Sequence, residues 1–479
     1  ALAVFVVGIT VWDELGQSVE QIMNYVGIGV LLNGDAGRRM RHIADHLTFA
    51  HSALRQRLLN ARCNVEEFTS RPRGHIENDH QPVSASAIRG GLSPGTRPPP
   101  IIAHIQRNVE RSRGLPRMAD PRRVVVAMSG GVDSSVAAAM LRDEGFDVVG
   151  LFMRIGVEMP VPGPGCAVRP ACCSVADADD ARLVAGRLGI PFFAVNFKEE
   201  FDGIVDHFAA EYARGRTPNP CILCNERLKF GSLLRYARAI GAGSIATGHY
   251  ARIERRGGRH ALLKAVDRGK DQSYVLFGLA PELLAHVRFP VGILTKADVR
   301  RRAEKRALPV HDKPDSSDIC FAPDRDYARV IRPLRPEAFR PGEVRDADGR
   351  VVGRHDGIGH YTIGQRRGLR IALGVPHYVT AIDPEANVVT IGPREDLLRR
   401  GLLASRVRWI VDEPQEPIRA DVQIRYRHAA APATVEPLCD GSVRVCFDVP
   451  QPAITPGQAA VFYREDEVLG GGWIDRSFG

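Results

Sequence analysis

Cysteine is sparse in this chain: nine residues in 479, too few and too scattered to form a disulfide framework. That usage fits a reducing compartment in which some thiols are kept for chemistry. Long hydrophobic runs are missing as well. No stretch reaches the roughly 18 apolar residues of a membrane-spanning helix. The apolar start, Ala1–Trp12, has neither a basic flank nor a small-residue cleavage site. Neither an anchor nor a signal is therefore expected, and a cytoplasmic protein is. No internal repeat is evident. What the chain has is an ordinary soluble composition, 44% hydrophobic and 25% charged, with a net charge of +9. Most of its basic residues are arginine, and that excess suits a polyanionic partner, because Lys and Arg displace counterions from phosphates.

The length suggests roughly two to four domains. Residues 1–117 differ from the rest: a few amphipathic stretches such as Met40–Leu59 precede a Pro-, Gly-, Ser- and Arg-rich tract from Arg71 to Pro100. That composition reads as linker or disorder. An N-terminal extension, poorly ordered or dispensable, is expected there, with Met118 as the start of the compact protein. From Arg123 strand and helix patterns alternate. Val124–Met128, Asp147–Phe152, Phe192–Asn196 and Ser244–Thr247 read as strands, and Ser134–Glu144, Asp177–Leu188 and Glu226–Ile240 as helices. The pattern predicts an α/β domain over 118–325 built on a doubly wound parallel sheet. Later segments are short and β-like, among them Gly349–Gly353, His377–Ile382, Val388–Ile391 and Val443–Phe447. A small mainly-β domain over 326–400 and a C-terminal β-barrel over 401–479 are expected.

Three motifs carry chemistry. Ser129-Gly130-Gly131-Val132-Asp133-Ser134-Ser135 lies between a strand and a helix. Glycines let a backbone approach phosphate oxygens, exposed N–H groups at a helix start bind anions, and Asp133 can serve as a magnesium ligand. No lysine precedes the final serine, so this is not the GxxxxGK[ST] phosphate loop. SGGxDS instead resembles the loop of the ATP pyrophosphatases, which leave an adenylate. The second motif is Thr217-Pro218-Asn219-Pro220-Cys221-Ile222-Leu223-Cys224-Asn225. A CxxC pair is half a zinc site, a redox pair or part of an iron–sulfur site. Cys172-Cys173 is adjacent rather than spaced, which argues against a closed zinc site, and the two prolines suggest a rigid loop presenting the thiols. The third is Cys320, within Ser316-Ser317-Asp318-Ile319-Cys320-Phe321.

From Met118 to the C-terminus the order AMSGGVDSSV, Cys172-Cys173-Ser174 with DARLVAGRLGIPFF, RTPNPCILCNERLKFG, ATGHYARI, KDQSYVLFGL, SSDICF, GIGHYTIGQRRGL, IRYRH and TPGQAAVFY resembles the bacterial tRNA-specific 2-thiouridylase family. The resemblance implies that Ala127, Met128, Ser129, Gly130, Gly131, Val132, Asp133 and Ser134 cradle ATP, with Met153 and Gly248 at its adenosine end. It implies Cys224 as nucleophile and Cys320 as persulfide carrier, with Asn219, Pro220 and Cys221 against the target base. His249, Lys270, Asp271, Gln272, Arg425, Tyr426 and Gln458 would contact tRNA. ATP with Mg²⁺, the anticodon arm of tRNA and an upstream persulfide donor protein are the implied cofactors and partners, and a monomer is expected.

Two departures stand out. The persulfide loop reads SSDICFAP rather than a form nearer STGICFIG, and Cys221 sits where some members carry Asp. Three thiols therefore leave open an iron–sulfur cluster on Cys221, Cys224 and Cys320. The implied reaction adenylates the C2 oxygen of wobble uridine and then delivers sulfur to C2. Thiolate chemistry requires each reactive cysteine to have a lowered pKa or an electropositive setting. Other adenylating pyrophosphatases, such as an amidotransferase-type synthetase or a tRNA lysidine synthetase, need no paired thiols. A non-catalytic sulfur-relay or tRNA-binding protein would not need an intact loop.

Overall fold

The computed structural model describes residues 120–156, 175–315, 319–322, 326–371 and 374–479, all within one compact unit, Ser93–Gly479. The expectations for residues 1–117, for Cys172-Cys173 and for Asp318 lie outside the described residues.

Strand β1 (Asp120–Ala127) carries the run Val124-Val125-Val126, each residue fully buried, as a central strand covered on both faces must be. It leads through the glycine turn into helix α1 (Val132–Asp143), then β2 (Asp147–Arg154), α2 (Val175–Leu188), β3 (Phe192–Asn196) and α3 (Lys198–Ala213). After α3 come a short α4 (Pro220–Leu223), a π-helical stretch (Cys224–Ser232), α5 (Leu233–Ala239) and β4 (Ala242–Thr247). Next are the hairpin β5 (Ala251–Arg256) and β6 (Arg259–Lys264), the two-residue β7 (Val287–Arg288), α6 (Lys296–Lys305) and α7 (Tyr327–Leu334). The first sheet has the order β3-β2-β1-β4-β7 and is parallel throughout. The chain runs outward from β1 to β3, then returns to place β4 on the other side of β1. The parallel α/β expectation therefore holds.

The single helix expected over Glu226–Ile240 does not form as such. Helix begins earlier, because the Asn219 side chain caps it by accepting from the Cys221 N–H at 3.1 Å and Pro220 fills the first turn, where its missing N–H costs nothing. The two thiols therefore stand on helix rather than on the rigid loop that the prolines suggest.

Four strands, β8 (Gly342–Arg345), β9 (Val351–His355), β10 (Tyr378–Asp383) and β11 (Val388–Gly392), make a second sheet in the order β10-β11-β8-β9 around Val344, Val379, Val389 and Ile391. The last six strands are β12 (Leu398–Trp409), β13 (Ile418–Gln423), β14 (Ala431–Pro437), β15 (Val443–Pro452), β16 (Ala459–Arg464) and β17 (Glu467–Phe478). They close into a barrel because β12 pairs with both β15 and β17. Inward residues such as Leu402, Val422, Val435, Val445, Phe462 and Ile474 fill it. The β5–β6 hairpin, encoded amid the α/β elements, adds to this sheet through Leu263 opposite Glu467. Among the described residues no helix is long and apolar enough to cross a membrane.

The barrel meets the α/β part through directed bonds. The Tyr274 hydroxyl donates to the Ala459 carbonyl at 2.9 Å and accepts from the Ala459 N–H at 3.2 Å, with both residues buried. Gln458 Nε2 donates to the Thr217 carbonyl at 2.7 Å, and Thr217 N–H to the Pro456 carbonyl at 2.8 Å. Tyr274→Phe strands a buried N–H and C=O, so it is expected to cost about 1–3 kcal/mol in urea unfolding. An unchanged midpoint would show that this joint does not stabilise the fold.

Candidate active site

Register places Ala127 beside Leu151 on one side and Thr247 on the other, so the carboxyl ends of β1 and β4 lie where the strand order reverses. Ligands of open α/β sheets bind in such crevices. A cavity of about 520 Å³ opens here.

The phosphate loop forms its floor. Gly130 has φ +73, and a Cβ there would sit 2.2 Å from the Asp177 carbonyl oxygen. Ser134 Oγ accepts from the Ser129 N–H at 3.2 Å, and the Ser135 hydroxyl donates to the Gly131 carbonyl at 2.8 Å, which holds the turn closed. Lys313 ties the loop to α2: its Nζ donates to the Gly130 carbonyl at 3.0 Å and to Asp177 and Asp180 at 2.6 Å. Gly248 presses on the loop from β4, since a Cβ there would lie 2.6 Å from the Ser134 nitrogen.

Most of the residues singled out in the sequence line this one cavity. They include Ala127, Met128, Ser129, Asp133, Ser134, Met153 and Gly248 from the nucleotide set, and Asn219, Pro220 and Cys221 from the base set. Cys224 and Cys320 line it too, with His249, Lys270, Gln272, Tyr426 and Gln458. Gly130, Gly131 and Val132 belong to the loop but lie outside the lining. Asp271 does not face the cavity: its carboxylate accepts from the Ala265 N–H and the Ser273 hydroxyl, each at 2.7 Å. Burial pushes that carboxyl up while these bonds pull it down. Arg425 is also outside the lining, and it is Arg427 that reaches the cavity, its guanidinium 5.4 Å from the Tyr426 ring centre.

The electrostatics of the loop end involve residues that sequence patterns do not single out. Lys296 Nζ donates to both oxygens of Asp133, at 2.7 and 2.8 Å, and the Tyr250 hydroxyl donates to Oδ1 at 2.7 Å. Lys296 also reaches Asp315 at 2.9 Å, and Asp315 takes Lys270 at 2.7 Å and Arg300 at 3.0 Å. Burial raises the Asp315 carboxyl, but the bonds from Lys270 and Lys296 outweigh it and hold it at about 2. Its contribution to stability is therefore complete above the ordinary carboxylate value of 3.8 and fades as pH falls toward 2. Lys296 bridges both oxygens of Asp133, so a magnesium ion bound by both of them would have to displace it.

The three thiols, Cys221, Cys224 and Cys320, are half-buried against the main core and open on the same cavity. Among the described residues no three His, Cys, Asp or Glu side chains are grouped as a bound metal requires, so the donor set does not fit the iron–sulfur alternative. The lowered pKa expected of a reactive cysteine is not found at Cys224. Burial pushes its thiol up, and only the Lys229 ammonium acts against that.

Comparison with known proteins agrees with this geometry. Residues 122–324 match the tRNA methyl transferase HUP domain, 334–393 the tRNA methyl transferase PRC-barrel domain, and 399–474 the aminomethyltransferase beta-barrel domain. The chain is 51% identical to the tRNA-specific 2-thiouridylase MnmA of Geobacter metallireducens over 74% of its own length and 97% of the relative. It is 48% identical to that of Carboxydothermus hydrogenoformans, covering 74% and 98%, and 46% identical to that of Clostridium perfringens, also covering 74% and 98%.

Gly248→Ala drives a methyl into the loop backbone without unburying any core side chain. It is expected to cost at least about 1.4 kcal/mol, a tenfold loss of ATP affinity, in calorimetry, with circular dichroism unchanged. Wild-type affinity would separate this cavity floor from nucleotide binding.

Proposed function

Because the chain belongs to the tRNA-specific 2-thiouridylase family, we propose that it replaces the C2 oxygen of wobble uridine in tRNA with sulfur, consuming ATP. One observation carries the reading: a single cavity is lined both by a phosphate loop and by three half-buried thiols.

The chemistry follows from leaving groups. A uridine C2 oxygen leaves poorly. Its attack on the α-phosphorus of ATP expels pyrophosphate and makes it a phosphate ester oxygen, which leaves well. The loop N–H groups at the start of α1 hold the phosphates, and Lys296 and Lys270 line the same cavity as cations to balance them. In this reading Cys320 carries a terminal sulfur as a persulfide. The Cys224 thiolate attacks Cys320 Sγ, forming a Cys224–Cys320 disulfide. The Cys320 Sγ–S bond breaks, and its electron pair leaves on the terminal sulfur as hydrosulfide. Hydrosulfide adds to C2 and AMP departs. A thiol reductant returns two electrons to the disulfide, and an upstream persulfide protein reloads Cys320. Tyr426 and Arg427 on the barrel side offer an aromatic face and a cation to an extruded base and its phosphate. The protein acts in the cytoplasm, as a monomer.

The test is mass spectrometry of nucleosides from unmodified tRNA incubated with protein, ATP, magnesium and a persulfide donor. Sulfur for oxygen at wobble uridine is expected with the wild type. Cys224→Ser and Cys320→Ser reduce it to the level without enzyme. Cys439→Ser, whose thiol is exposed on a barrel turn, leaves it unchanged. The absence of 2-thiouridine from every tRNA would overturn the proposal.

A further inference from the structure

The stretch Cys224–Ser232 is a π-helix in which hydrogen bonds span five residues, ending with Leu233 N–H on the Leu228 carbonyl. In an α-helix the neighbours of Cys224 along its face would be the residues three and four on, Arg227 and Leu228. The wider π turn adds the fifth residue, Lys229, to that face. Leu228 and Lys229 both line the cavity with Cys224, but Leu228 is fully buried and apolar, so Lys229 is the one that brings a charge to the thiol. π-Helical turns are uncommon and are frequent at functional sites.

Lys229 is held from the opposite wall. Its Nζ lies 3.4 Å from His249 Nε2, and His249 Nδ1 lies 2.7 Å from Thr247 Oγ1. The imidazole packs between Phe230 and Phe289, with ring centres 6.1 and 5.9 Å away. Burial first, and the Lys229 charge second, push its pKa well below the ordinary range, so the ring is neutral. A neutral ring with its proton on Nδ1 donates to Thr247 and accepts from the ammonium at Nε2, so both ring nitrogens have partners.

The other charges facing the cavity are otherwise engaged. Asp133, Lys270, Lys296 and Asp315 pair among themselves, and Arg427 lies over Tyr426. On the π-helix itself Glu226 pairs with Arg408, and Arg227 bears on His207. Among the described residues no carboxylate pairs with Lys229. The remaining thiols on the cavity are Cys221 and Cys320, and the Tyr250 phenol is spent on Asp133.

We propose that Lys229, aligned by the π turn and held by the neutral ring of His249, is the positioning cation that keeps Cys224 able to form a thiolate in its buried setting. On this assignment His249 serves the nucleophile through Lys229. The inference rests on the thiouridylase reading for its purpose, though not for its test.

The experiment follows alkylation of Cys224 by iodoacetamide against pH in the full chain, read on the Cys224 peptide by mass spectrometry. Lys229→Met and the polar, uncharged Lys229→Gln are each expected to shift the Cys224 profile upward by about one pH unit, a tenfold slower reaction at neutral pH. Lys229→Arg keeps the wild-type profile to within a fraction of that shift. His249→Leu moves it in the same direction as Lys229→Met, and His249→Gln, whose amide oxygen can still accept, moves it less. A Lys229→Gln profile superimposed on the wild type overturns the proposal. If the wild type forms 2-thiouridine while that superposition holds, only this inference falls. If the wild type forms none, the functional reading falls whatever the profile shows.

Discussion

The reversal of strand order at β1 is the constraint on which the rest depends. Because β2 and β4 leave β1 in opposite directions, their connections cannot cover its carboxyl end, and a crevice must open there. The glycine turn after β1 and the Thr247-Gly248 end of β4 then lie side by side, close enough that a single added methyl at Gly248 would collide with the loop. The remaining walls are brought up to that crevice: the thiol helices from one side, the Asp315 cluster from another, and the barrel edge through Gln458 and Tyr426. Placing the thiols, the glycine loop and Tyr426 around one opening would let activation and sulfur delivery, as proposed, proceed without releasing a labile adenylate to water.

Charge balance in the empty cavity follows from that crowding. Asp133 and Asp315 sit among Lys296, Lys270 and Arg300, so each cation on this side of the cavity already has a carboxylate partner. Cations held in place in this way cost less to order when an anion binds beside them. The thiol side is arranged differently. Cys224 is surrounded by apolar core and has a single ammonium in opposition, a balance that keeps it mostly protonated until the chemistry calls for the thiolate.

What the sequence discloses and what it hides divide along physical lines. The strands Val124–Met128 and Phe192–Asn196, the glycine loop and the β-rich C-terminal third are legible because their signals are local: apolar runs, turn residues and a helix start within a few positions. The thiols are legible through their motifs. The helical setting of Cys221 and Cys224 is not, because two prolines suggest a loop unless Asn219 is seen to be a cap and Pro220 a first-turn residue. Nor does a periodic pattern show a π turn, so nothing in the sequence singles out Lys229. Lys296 and Asp315 lie 163 and 182 residues from Asp133 in the chain and meet it only through the fold, directly for Lys296 and through Lys296 for Asp315. Asp271 and Arg425 show the converse: each belongs to a motif pointing at the cavity, yet local hydrogen bonding turns Asp271 away and the neighbouring Arg427 takes the place at the wall.

The central claim is that the cavity first makes the C2 oxygen of uridine a leaving group by joining it to the α-phosphorus of ATP. Transfer of a heavy-oxygen label tests it most directly. With tRNA labelled at the C2 oxygen of wobble uridine and unlabelled ATP, the account predicts that AMP from each thiolation carries the label and pyrophosphate carries none. Unlabelled AMP alongside normal formation of 2-thiouridine would contradict it.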